Sequence, residues 1–223
     1  MDIVLNNYLT IAQTGEYEIE IKKSRFICQM ARVTDEQAAN DFIAAIKKKH
    51  YQATHNCSAY IIGDNDEHQR ANDDGEPSGT AGVPMLEAMK LMKLKNVVAV
   101  TTRYFGGTKL GAGGLIRAYS NSVTKAAHHI GIIRGVLQQA VILEIDYSQV
   151  ALIQHFFEES PYSIENTDYG VKVTVTAYID DGDVANYRDK LTDLTSGSIQ
   201  IQTGDKQYRE VPYTDPAAPR YEN

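Results

Sequence analysis

The sequence predicts an α+β protein of two domains, and three observations carry that reading. Residues 1–134 alternate between the two-residue rhythm of strands and the 3.6-residue rhythm of helices. After Gly131–Gly135 the pattern restarts, in the order strand, helix, strand, strand, helix, strand. The formal charge of −7 is also unevenly divided, +2 over residues 1–134 and −9 over residues 135–223. Net charge governs association rather than fold, so an anionic partner is expected to meet the first half and avoid the second.

Residues 16–21 (EYEIEI) alternate strictly, with Tyr17, Ile19 and Ile21 on one side, which predicts a half-buried strand. Residues 25–33 predict a second strand, with Lys22-Lys23-Ser24 as the turn between them. Thr34 or Asp35 caps a helix over 35–49, whose apolar face holds Ala38, Phe42, Ala45 and Ile46 and whose KKK end suits the negative pole of the helix dipole. Ser58–Gly63 reads as a buried strand and 80–95 as a helix with Pro84 in its first turn. Met85, Met89 and Met92 on that helix read as core filler. Asn96–Phe105 is a continuous β-branched run, hence a central strand, and Gly113 or Gly114 opens a helix that reaches Ile130.

In the second half the expected elements are a strand over 137–147, a helix over 148–160, a hairpin of 162–167 and 171–179 around Asp168-Tyr169-Gly170, a helix capped by Asp183, and a strand over 198–211. That order is the split βαβ of ferredoxin-like domains. The expected domains are 1–134 and 135–211, and Pro212, Pro216 and Pro219 mark 212–223 as a disordered tail.

The chemistry is concentrated between Asn72 and Ser120. Eight of the sixteen glycines fall there, in two clusters that each open into a helix: Gly75, Gly79 and Gly82, then Gly106, Gly107, Gly111, Gly113 and Gly114. A helix amino end offers unpaired N–H groups and partial positive charge, so two anion-binding concavities are expected. Charge separates them. Six carboxylates lie between Asp64 and Glu76, whereas no acid appears between Glu87 and Glu144 and eight cations do. Arg103, Tyr104, Lys109, Gly111, Gly113, Gly114 and Arg117 are therefore the candidate anion or nucleic-acid contacts, with Tyr104 as a stacking platform. Packing alone would explain the glycines; it would not explain the clustered cations.

The loop holding Asp73, Asp74, Gly75, Glu76 and Ser78 has no assigned role. Its acids can bind a hard cation, pair with Arg103 or Arg117, or stay solvated. Gly-Gly-Thr-Lys-Leu is not a phosphate-binding P-loop, and Gly75–Gly79 is not a nucleophile elbow. His55 reads as a structural histidine because no third group orients it as a base. Adjacent on a helix, His128 and His129 diverge, and Cys28 and Cys57 read as buried thiols. No catalytic residue, metal site or cofactor is expected, and binding leads over catalysis. The start lacks a basic signal region, and no run reaches the ~18 apolar residues of a membrane span. A cytoplasmic monomer with no membrane partner is expected.

DDGEPSGTAG at 73–82, TRYFGG at 102–107 and LGAGGLIRAYS at 110–120, with KSRF at 23–26 and THNCSAY at 54–60, resemble the Impact family in its bacterial branch. The resemblance covers roughly residues 1–130. It implies that the first domain shares the fold of elongation factor G domain IV, with a left-handed βαβ crossover, and that the second is the ferredoxin-like domain also found in that factor. It also implies translation: an RNA- or ribosome-associated modulator, with RNA, the ribosome or a translation-associated protein as partner. Two alternatives stay open, a phosphate-ligand enzyme of metabolite-kinase-like fold and a protein-interaction module regulating a stress response.

Overall fold

The structure, a computed structural model, describes residues 7–213. The described residues divide into two compact units, one gathering 7–134 together with 211–213, the other Gly135–Glu210.

The first unit contains β1 (Asn7–Ile11), β2 (Gly15–Ile21), β3 (Ser24–Arg32), α1 (Glu36–Lys49), β4 (His55–Ile62), β5 (His68–Asn72), α2 (Gly82–Leu91), β6 (Val97–Tyr104) and α3 (Ala112–Ile130). Five of the strands form an antiparallel sheet in the order β2-β3-β6-β4-β5. The β-branched run becomes the centre of this sheet, with seven of its eight residues buried. Because side chains alternate across a strand, each inner strand feeds two cores. Phe26, Cys28, Cys57, Ala59, Val97 and Ala99 pack with Met85 and Met89 of α2 and with Leu115, Tyr119 and Val123 of α3. Ala31, Tyr60, Ile62 and Val98 point the other way and pack under α1. The unit is therefore a sheet between one helix and two, and each buried Val, Leu or Met contributes about 1.5–3 kcal/mol.

Local chemistry sets the boundaries. Lys22 and Lys23 take φ of 46° and 65°, so the β2–β3 turn has the two positive φ values of a type I′ hairpin without the usual Asn-Gly. The Asp35 carboxylate accepts from the Ala38 N–H at 2.8 Å and caps α1, whose last turn carries Lys47, Lys48 and Lys49. Neither β1 nor β5 is visible as a periodic pattern. β1 is held from the side: Arg32 donates to the carbonyls of Ile11 at 2.6 Å and Ala12 at 2.7 Å.

The second unit contains most of β7 (Ile132–Ile145), a 3-10 turn (Tyr147–Gln149), α4 (Val150–Glu158), β8 (Ile164–Tyr169), β9 (Val173–Asp180), α5 (Val184–Leu194) and most of β10 (Gln200–Pro212). Its strands lie in the order β10-β7-β9-β8, the ferredoxin-like arrangement. Val141, Leu143, Val175, Ala177 and Ile179 pack against Ile153 and Phe157 of α4 and Leu191 of α5.

Several boundaries differ from expectation. Gly131, at φ 91°, ends α3, but β7 starts at once and runs through Gly135 without a break. β8 continues through Tyr169, so the hairpin turns at Gly170–Lys172. Asp183 stands at the start of α5 without capping it; its carboxylate accepts from the Tyr162 hydroxyl at 2.7 Å. Of the expected tail, Pro212 ends β10, and Tyr213 donates its N–H to the Ile132 carbonyl at 3.2 Å; residues 214–223 lie outside the described ones.

Candidate functional site

The two glycine clusters lead into two helices whose amino ends have opposite fates. At α2 the end is filled from within. The Asp73 carboxylate accepts from the N–H groups of Gly79 at 2.8 Å, Ala81 at 3.1 Å and Gly82 at 2.8 Å, so a side chain takes the place an anion would occupy. Gly82 has to be glycine, since a Cβ there would lie 2.5 Å from the Asn72 nitrogen.

The neighbouring acids also turn inward. Asp74 accepts from Lys47 Nζ at 2.6 Å and from the Asn56 N–H at 2.7 Å, and its carbonyl lies 2.9 Å from His55 Nδ1. Burial works to raise the Asp74 carboxyl, but Lys47 and the Asn56 N–H outweigh it and hold the group below its ordinary value. Glu76 is 8% exposed and accepts at Oε1 from Arg103 Nη1 at 2.6 Å and from the Tyr119 hydroxyl at 2.8 Å. Beside them Cys57 Sγ lies 3.0 Å from the Asp73 carbonyl, and burial pushes its thiol up to about 12. Gly75 takes φ of 87° to make the turn, and Ser78 is exposed. Of the three roles open to these acids, the structure shows pairing with Arg103 for Glu76, while Asp74 pairs with Lys47 rather than with Arg103 or Arg117. Among the described residues no group of three His, Cys, Asp or Glu is placed to hold a metal ion.

At α3 the end is left open. Its N-cap is Gly111, at φ 73°, with no side-chain cap and no acid in the first turn. Gly111, Ala112 and Gly113 are exposed, and a Cβ at Gly113 would meet nothing within 4 Å. Lys109 just before the helix and Arg117 on it are exposed, and among the described residues no carboxylate pairs with either. Other cations of the acid-free stretch are occupied: Lys90 pairs with Glu87 and Lys95 with Asp66.

The strand pleat separates the two candidates on β6. Arg103 faces α2 and α3, is 5% exposed and is committed to Glu76. Tyr104 faces α1, where its hydroxyl lies 3.0 Å from His50 Nδ1 and the Arg25 guanidinium sits 5.5 Å from its ring centre. The open end of α3 thus gathers Lys109, Gly111, Gly113 and Gly114, with Arg103 lining the same cleft, Arg117 about one and a half turns further along the helix and Tyr104 elsewhere. The aromatic beside it is Phe105, 47% exposed, 5.4 Å from the Arg103 guanidinium. Glu76, Pro77, Arg103, Phe105, Lys109, Leu110, Gly111, Ala112 and Leu115 line a cleft of about 340 Å³. Phe105 and Leu110 were legible only as residues beside a glycine turn; nothing in their spacing marked them as cleft walls.

Fold and site define a two-domain α+β protein, a five-stranded antiparallel sheet unit followed by a ferredoxin-like one, with an open helix amino end as its candidate binding site. Residues 22–127 match the Impact N-terminal domain, and residues 143–198 match a domain of unknown function, DUF1949. The chain is 48% identical to the IMPACT family member YvyE of Bacillus subtilis over 93% of this chain and 95% of that one. It is 35% identical to the IMPACT family member YigZ of Escherichia coli over 82% and 90%. A solved structure described as that of a hypothetical protein superposes with a TM-score of 0.57 at 33% identity, covering 89% of this chain and 97% of its own. The chain belongs to the Impact family. Among the described residues no helix is long and apolar enough to cross a membrane.

Proposed function

We propose that this protein is a non-catalytic, RNA- or ribosome-associated modulator of translation that docks a phosphate-bearing partner on the open amino end of α3. The observation that carries the reading is the contrast between the two helix ends. Asp73 closes α2, whereas α3 keeps its first N–H groups uncapped, with the exposed cation Lys109 just before them and the exposed Arg117 about one and a half turns along the helix. The family resemblance supports the translation context, and the positive first half against the negative second supports the placement.

Ribosome co-sedimentation at low and high salt tests it. Each lost phosphate contact lowers the slope of log K against log salt by about 0.7–0.9. Lys109→Gln with Arg117→Gln is expected to weaken binding and flatten that slope. Lys206→Gln with Arg209→Gln, which removes cations already paired with Asp181 and Glu165, is expected to do neither. Loss of affinity in the second pair alone would move the site off α3.

A further inference from the structure

The cleft beside α3 suits something other than a phosphate. Pro77, Phe105, Leu110 and Leu115 give it apolar walls, and Lys109 is the exposed cation among its lining residues. Its inner wall includes Arg103, whose guanidinium lies between the rings of Phe26 at 5.3 Å and Phe105 at 5.4 Å. Glu76 takes Nη1 and Ser24 Oγ lies 3.5 Å from Nη2, but Nε is buried with no hydrogen-bond partner. A buried donor left unpaired is costly, and an uncharged acceptor is enough to remove that cost.

We propose that this cleft takes one unstacked base of single-stranded RNA, stacked on Phe105, while the phosphates of the same strand lie on Lys109 and the amino end of α3. The proposal rests on the phosphate-docking reading and adds to it the class of nucleic acid. A base joins two apolar faces to a polar edge, which is what apolar walls around a buried donor require. At about 340 Å³ the cleft lies at the low end of ligand pockets and has room for one base rather than a run. Nε is buried beside the half-exposed Phe105, so seating a base requires that ring to shift; a carbonyl of uracil, guanine or cytosine, or a ring nitrogen of adenine, then supplies the missing acceptor.

The test measures fluorescence anisotropy of the full chain with four probes: a short single-stranded uridine oligonucleotide, its counterpart carrying difluorotoluene, which has the shape of a pyrimidine base but barely accepts hydrogen bonds, the same backbone with abasic riboses, and a duplex of equal length. The uridine strand is expected to bind best. Losing one stacked base is expected to weaken binding roughly 5- to 150-fold, in the abasic strand and in Phe105→Ala alike, with the salt slope unchanged. Phe105→Leu keeps the apolar bulk without the stacking face and is expected to lose affinity with its thermal midpoint retained. Abasic and uridine strands binding equally, with a slope that Lys109→Gln still flattens, would overturn base insertion and leave phosphate docking standing. A difluorotoluene strand binding as tightly as the uridine strand would overturn the role of Arg103. Salt-independent or absent binding of every probe would overturn both readings.

Discussion

Glu76 and Arg103 meet at 2.6 Å in the interior of the first unit, 8% and 5% exposed, and Tyr119 donates to the same carboxylate oxygen. One buried acid thus joins the turn before α2 to the end of β6 and the body of α3. Breaking a buried pair leaves an uncompensated charge, at a cost of about 3–5 kcal/mol. Glu76→Ala and Arg103→Ala are each expected to destabilise by about that much. In denaturant unfolding the double variant is expected to lose less than the sum of the two; strict additivity would mean that the residues are not coupled.

Asp74 gives the loop a pH dependence. A carboxyl held below its ordinary value by its folded surroundings contributes stability that is complete above about 3.9 and disappears as pH falls through the lower folded value. Asp74→Asn is expected to cost about 1.5–3 kcal/mol near neutrality. That difference is expected to be flat near pH 7 and to shrink only under acid conditions, followed by urea unfolding across a pH series.

The glycines at α3 differ in what they tolerate. Gly111 sits at φ 73° and ψ 165°, a region held almost wholly by glycine where a side chain costs about 1–3 kcal/mol, whereas Gly113 is helical with open space around its missing Cβ. Gly111→Ala is expected to lower the thermal midpoint, and Gly113→Ala to leave it unchanged or raise it. Gly113→Val is expected to fold and yet bind RNA more weakly, because its side chain fills the space through which an oxyanion approaches.

The thiols are expected to be inert. Burial pushes Cys28 and Cys57 up to about 12, so little thiolate exists near neutral pH. Native protein is expected to resist a thiol reagent at pH 8 and to take up two equivalents on unfolding; prompt labelling of either would contradict the burial.

Much of the architecture was legible because hydrophobic rhythm encodes it. The central strand declared itself by its β-branched run, and the second unit by its element order. β5 did not, since HQRAN is an exposed edge strand with no apolar face to alternate, and β1 is too short to show a period. The site was half legible. Glycine and charge clustering located the open helix end, but partner choice is a matter of tertiary distance. Asp73 reaches the start of α2, Glu76 finds an arginine 27 residues on, and the pleat of β6 turns Tyr104 away from Arg103. Asp183 shows the limit most plainly: its position reads as a helix cap, and a tyrosine elsewhere in the fold claims it.

The first unit is completed by residues that follow the second. The chain leaves at Arg134, returns at Val211, and Tyr213 bonds to Ile132, two residues before the exit. The second unit is thus an insertion with neighbouring ends. During synthesis the first unit can assemble its sheet and helices early, yet the backbone bond from Tyr213 to Ile132 must wait until some eighty further residues have been translated. Removing the inserted segment and rejoining the chain near those ends would make the first unit continuous, whereas a simple truncation at residue 134 discards its closing piece.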